Sequence, residues 1–136
     1  MKLFLDTSVL LAAAGSAGGA SRFLVESASS HGWHLMSSPN CLAEVDKNIM
    51  KLGYGASGYW RNQLRMTIAL VHDCVVLDKP LLFDVIKDKP VLITALAGKC
   101  DVLLTLDRAD FGAFFERGVY GLRVMTPGML LLGLRA

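Results

Sequence analysis

Charge is scarce in this chain, and nothing in it forms a cysteine pair. Only 19% of the 136 residues are Asp, Glu, Lys or Arg, and Lys+Arg 14 against Asp+Glu 12 leave a net charge of +2. That balance excludes a polybasic nucleic-acid coat and an acidic tail, so any nucleic-acid contact has to come from a local patch. The cysteines Cys41, Cys74 and Cys100 form no CxxC motif and are odd in number. They read as small core residues of a reduced, cytoplasmic protein. His31, His34 and His72 show no ligand-like spacing. There is no Pro- or Ser-rich linker and no internal repeat, and no apolar run approaches the roughly 18 residues of a membrane span. The start of the chain, Leu3-Phe4-Leu5 and then Val9 to Ala14, looks superficially like a signal peptide, but Asp6 breaks its apolar segment. A mature, soluble start with no membrane partner is expected.

What is abundant is apolar surface. Hydrophobic residues make up 53% of the chain and the mean hydropathy is +0.44, which excludes intrinsic disorder. The length suits a single domain over 1-136. Apolar strand-like runs at Lys2–Leu5, Trp33–Met36, Cys74–Leu77, Asp101–Thr105 and Leu122–Met125 alternate with helix-like stretches. The expected helices are Val9–Ala14, Ser21–Ser30 with Phe23, Leu24 and Ala28 inward, Cys41–Leu52 after Ser37-Ser38-Pro39-Asn40, and Tyr59–Leu70. Further along come Val91–Gly98 opened by Pro90, Phe111–Arg117, and Met129–Leu134 after Thr126-Pro127-Gly128. This alternation predicts an α/β fold with a parallel sheet covered on both faces. In such folds the ligands sit beyond the carboxyl ends of the strands.

Acidic residues fall at those ends. Asp6 directly follows the first strand, and Asp107 follows the strand that ends near Thr105. Asp88 precedes the helix opened by Pro90, and Glu44 lies early in the helix after Pro39-Asn40. Carboxylates that converge repel one another unless a cation neutralises them, and an oxygen-only set suits Mg²⁺ or Mn²⁺ rather than Zn²⁺. Each residue also has an ordinary reading. Asp6, Asp88 and Asp107 fit helix N-caps, and Glu44 fits a solvated helix face.

The segments Leu5-Asp6-Thr7-Ser8-Val9-Leu10, Ala43-Glu44-Val45, Lys87-Asp88-Lys89-Pro90-Val91-Leu92 and Leu104-Thr105-Leu106-Asp107-Arg108-Ala109-Asp110-Phe111 resemble the PIN-domain nucleases. They are most similar to the branch of VapC-like toxin components of bacterial and archaeal toxin–antitoxin pairs. Leu122-Arg123-Val124-Met125-Thr126-Pro127 resembles that family's last strand and final helix start, so the likeness runs along essentially the whole chain. The resemblance implies a three-layer α/β/α sandwich with a central parallel sheet of four or five strands. It also implies a metal-dependent ribonuclease in which Asp6, Glu44, Asp88 and Asp107 form the catalytic and metal-binding quartet. Ser8 and Thr105 match hydroxyl positions that orient waters or carboxylates. Asp84 competes with Asp88 for its place, Asp110 and Asp101 are weaker candidates, and Leu106 stands where many relatives have Gly.

Such an enzyme would use one or two Mg²⁺ or Mn²⁺ ions to neutralise the scissile phosphate of RNA and activate a water. Lys47, Lys51, Arg61 and Arg65, interleaved with Tyr54, Tyr59 and Trp60, offer phosphate contacts and stacking surfaces for RNA. The same residues read equally as a solvated charged face over core aromatics. Arg108 offers a further phosphate contact. The apolar excess suits a homodimer or a groove for a cognate antitoxin. The alternatives within the family are a non-toxin nuclease of RNA processing and a catalytically silent binding module. Outside it stands a phosphoryl-transfer enzyme with Asp6 as nucleophile. Haloacid-dehalogenase enzymes, however, carry a second Asp two residues on, where this chain has Ser8. A receiver domain needs a late Lys and an early acidic pair that are missing.

Overall fold

The computed structural model describes residues 1–76, 86 and 89–134. Five strands form one sheet: β1 (Lys2–Leu5), β2 (His34–Ser37), β3 (Ala69–Leu70), β4 (Val102–Leu104) and β5 (Arg123–Met125). Their order is β3-β2-β1-β4-β5 and every pairing is parallel. The order reverses between β1 and β4, which pair Leu3 with Val102 and Leu5 with Leu104.

Continuous apolar strands suit a sheet buried on both faces, and alternate side chains feed two cores. On one face Leu3, Leu5, Val102 and Leu104 join a cluster with Val9, Leu10, Leu24, Val45 and Trp60. On the other, Phe4, Leu103 and Val124 join Leu92, Ile93, Phe111 and Phe114. The first core is roofed by α1 (Thr7–Gly15), α2 (Ala20–Ser27), α3 (Pro39–Asn48) and α4 (Tyr54–Tyr59), with Leu130 of α7 (Pro127–Gly133). The second is closed by α5 (Pro90–Ala97), α6 (Arg108–Phe111) and the turns that follow α6. The protein is thus an α/β sandwich around a five-stranded all-parallel sheet, as the alternation of elements predicts. No single helix among the described residues is long and apolar enough to cross a membrane. Thr7–Gly15 and Ala20–Ser27 pass such a test only as a pair bent by 95°.

Four local expectations are corrected. The strand expected at Cys74–Leu77 lies instead at Ala69–Leu70, in register with Met36 and Ser37. Residues Cys74 to Val76 join no strand, and Cys74 is tied to α5 through the Thr94 hydroxyl (3.0 Å and 3.2 Å). The helix expected from Tyr59 begins at Tyr54, passes through a π-helical turn at Trp60–Leu64 and a 3₁₀ turn at Arg65–Thr67, and stops before β3. Phe23 is 61% exposed. The inward stripe of α2 runs through Ser21, Leu24 and Ala28, at three- and four-residue spacing, and Phe23 lies off it. The helix expected at Phe111–Arg117 begins at Arg108 and tightens to 3₁₀ geometry at Gly112–Phe114.

Candidate active site at the strand ends

Asp6 leaves β1 at the centre of the sheet and is 8% exposed. It occupies the N-cap position of α1, yet its carboxylate makes no capping hydrogen bond, so its ordinary reading as a cap fails. Thr105 Oγ1 donates to Asp6 Oδ2 at 2.8 Å and Ser8 Oγ donates to the same oxygen at 3.1 Å. Each hydroxyl is itself fixed by the loop after β4. The Leu106 amide donates to Ser8 Oγ and the Asp107 amide to Thr105 Oγ1, both at 3.0 Å. Both side-chain donors to Asp6 therefore converge on Oδ2, which leaves Oδ1 without one. Burial, the largest influence, pushes the Asp6 carboxyl above its usual 3.8. Hydrogen bonds from Thr105, Ser8 and the Thr7 backbone pull the other way, and the charge of Glu44 adds to the rise.

A cleft of about 460 Å³ opens beside Asp6. Thr7, Ser8, Leu11, Glu44, Asn48, Val91, Asp107, Asp110 and Phe111 complete its walls. Glu44 reaches it from the second turn of α3, a helix started by Pro39 and capped by Ser38 Oγ, which accepts from the Cys41 amide at 3.1 Å. Asp107 does cap α6: its Oδ1 accepts from the Asp110 amide at 3.0 Å, which leaves Oδ2 without a partner among the described residues. Asp110 lies inside that helix, in its first turn. Its Oδ1 lies 3.9 Å from Lys89 Nζ. The structure therefore gathers Asp6, Ser8, Glu44, Asp107 and Asp110 at one cleft, with Thr105 buried directly behind. Asp88 and its competitor Asp84 lie outside the described residues. Asp101 sits at the opposite end of β4, where its Oδ2 accepts from the Lys2 amide at 2.7 Å.

The cleft fits a hard cation in donor chemistry. It offers carboxylate oxygens and Thr7 Oγ1, a buried hydroxyl with no hydrogen-bond partner among the described residues. Among the described residues no group of three His, Cys, Asp or Glu side chains comes close enough together to hold a metal ion. Mg²⁺ does not need such a group, since it keeps several waters and takes one or two carboxylates plus phosphate oxygens. Asn48 was missed from sequence, although it stands one helical turn after Glu44, a spacing that puts both on one face.

The basic, aromatic stretch divides. Trp60 is fully buried and its indole N–H donates to Asp46 Oδ1 at 2.7 Å, so it is core and offers no face for stacking. Arg65 pairs with Asp46 at 3.2 Å. Tyr59 carries the Arg22 guanidinium 3.4 Å from its ring centroid and donates to Glu26. Lys51 donates to Asn48 Oδ1 at 3.0 Å. Lys47, Arg61 and Arg108 remain exposed, and Tyr54 is 87% exposed. The Asp46 partnership spans fourteen to nineteen residues, and no sequence motif announces it.

Residues 2–109 match the family model described as the PIN domain. No curated protein matches the chain.

Proposed function

The chain belongs to the PIN-domain family, whose domains are in general metal-dependent nucleases, and from that premise we propose that it is an Mg²⁺- or Mn²⁺-dependent ribonuclease. It would hydrolyse RNA phosphodiester bonds at the acidic cleft. The observation that carries this reading is Asp6: a buried carboxylate held by two hydroxyls on one oxygen, disfavoured in its charged form, and facing further carboxylates across the cleft. A bound cation removes that electrostatic penalty. Asp6 and Asp107 would hold it together with waters, with Glu44 beside them and Asp88 as the further member that the resemblance implies. When bound, it supplies charge neutralisation at the phosphate and acidifies a coordinated water.

The rest is the work of this chain. Ser8 and Thr105 keep Asp6 Oδ2 pinned, so the carboxylate presents its other oxygen without reorganisation. Among the described residues Glu44 makes no side-chain hydrogen bond or salt bridge, which suits it to accept the proton of the attacking water. Lys47 and Arg61 would then meet phosphates further along the RNA, since Lys51 is engaged by Asn48 and Arg65 by Asp46.

The toxin of a toxin–antitoxin pair is the role we infer. A cognate antitoxin or a second copy of the chain would cover the exposed apolar side chains, among them Phe23 (61%) and Leu132 (63%). Cleavage of a labelled RNA is expected only with Mg²⁺ or Mn²⁺ present, and Asp6→Asn is expected to abolish it while the circular dichroism spectrum stays unchanged. Metal-independent cleavage, or full activity in Asp6→Asn, overturns the assignment. A wild-type protein silent with both metals leaves the binding-module reading in its place.

A further inference from the structure

The acidic cleft has a neighbour with the opposite chemistry. A second cleft of about 440 Å³ opens beside it, with Ser16, Gly19, Leu106, Arg108, Thr126 and Gly128 on its walls. The two share their partitions. Along the loop after β4, Leu106 and Arg108 line this cleft while Asp107 and Asp110 line the acidic one, and along α1, Ala12 faces this cleft while Leu11 faces the other. Among the described residues no carboxylate lines the second cleft. Arg108 is exposed and makes no salt bridge among the described residues, its guanidinium resting 5.0 Å over the Phe115 ring. Leu106, 45% exposed, and Pro127 give the cleft an apolar wall. Its volume falls within the range of small-ligand sites.

An unpaired cation, an apolar wall and three hydroxyl-bearing residues (Ser16, Ser21 and Thr126) match the three parts of a nucleotide: phosphate, base and ribose. We propose that this cleft binds one nucleotide of the single-stranded RNA next to the bond that is cut, with Arg108 on its phosphate and Leu106 and Pro127 against its base. The proposal rests on the ribonuclease reading, because that reading is what lays RNA across the partition between the clefts. It assigns Leu106 a role: at this position a side chain adds apolar surface that glycine lacks.

Gly128 makes the idea testable without disturbing the core. A Cβ there would meet only Thr126 Oγ1, at 3.9 Å, so Gly128→Phe has room to fill the cleft. A fluorescein-labelled single-stranded RNA decamer is titrated by anisotropy in EDTA with the wild type, Arg108→Ala, Arg108→Lys and Gly128→Phe. Cleavage kinetics in Mn²⁺ are measured on the same set. Arg108→Ala and Gly128→Phe are each expected to weaken binding about tenfold, which is about 1.4 kcal/mol. KM is expected to rise with Kd while kcat holds within about twofold, and Arg108→Lys to recover part of the loss. Thermal midpoints equal to the wild type show that both variants fold. Unchanged RNA affinity in both variants overturns the proposal, and leaves the cleft to a protein partner. Loss of binding in the variants with no metal-dependent cleavage by the wild type keeps the cleft and removes the nuclease reading. A wild type that binds no RNA in EDTA and cleaves none in Mn²⁺ removes both.

Discussion

Thr105 Oγ1 donates to Asp6 Oδ2 at 2.8 Å and accepts from the Asp107 amide at 3.0 Å, so one fully buried hydroxyl couples the end of β1 to the loop that carries the next carboxylate. Its removal in Thr105→Val leaves a buried N–H and a carboxylate oxygen short of a partner, a loss of about 1–3 kcal/mol. The same change removes a hydrogen bond that lowers the Asp6 pKa. Because the folded carboxyl already sits above its usual 3.8, the native state binds more protons than the unfolded chain in the window above 3.8. This group's contribution to stability therefore falls as pH rises through that window and is most favourable below it. Thr105→Val extends the window upward. The acid limb of the kcat/KM profile is expected to move to higher pH in Thr105→Val, and by less in Ser8→Ala, which removes the longer bond. Thr105→Ser is expected to restore it. An unshifted limb with a lowered plateau alone would reduce Thr105 to a packing role.

At the scale of elements, the turn before β5 depends on Gly118. Its φ is 64°, and a Cβ there would fall 2.5 Å from the Leu122 carbonyl oxygen, which accepts from the Val119 amide at 2.9 Å. Gly118→Ala combines a left-handed backbone with a backbone clash, so a loss of about 1–3 kcal/mol is expected from chemical denaturation. Gly121→Ala, with open space around its Cβ, is expected to show only the conformational part. Equal effects would remove the clash from the account. This scale also shows what the sequence could and could not reveal. The strands β1, β2, β4 and β5 are apolar runs with clear stops, so their existence was legible. The edge strand β3 was not, because it is two residues long and its apolar stretch, Ile68 to Val71, continues the pattern of the helix before it. Asp6, Asp107 and Glu44 were legible as candidates because each follows a strand end or a helix start. That Asp107 caps its own helix with one oxygen, whereas Asp6 caps nothing, depends on rotamers that no spacing encodes. Trp60 offered an aromatic ring between basic residues in sequence, and only the fold shows that ring buried against Asp46.

The whole molecule carries a net charge of +2, and part of its basic surface is spent internally: Arg65 on Asp46, Lys89 on Asp110, and Arg22 on Glu26 and the α1 carbonyls of Ala13 and Ala14. The acidic cleft repels RNA unless a cation is present. Lys47, Arg61 and Arg108 are the exposed candidates left to meet phosphates. For single-stranded nucleic acid each neutralised phosphate contributes about −0.7 to the slope of log K against log salt. Three contacts then give a slope of about −2 in EDTA, measured by anisotropy between 50 and 200 mM KCl, concentrations across which such binding is resolved. Arg108→Ala is expected to make the slope shallower by about 0.7. Lys51→Ala is expected to leave it unchanged, since that ammonium is already engaged by Asn48. Metal bound at Asp6 and its neighbours removes repulsion without adding a basic side chain, so with an RNA made uncleavable Mg²⁺ is expected to tighten binding in the wild type and to do so far less in Asp6→Asn. A slope several times steeper would mean that RNA is gripped by a broad basic face, which the internal ion pairs of this fold do not leave available.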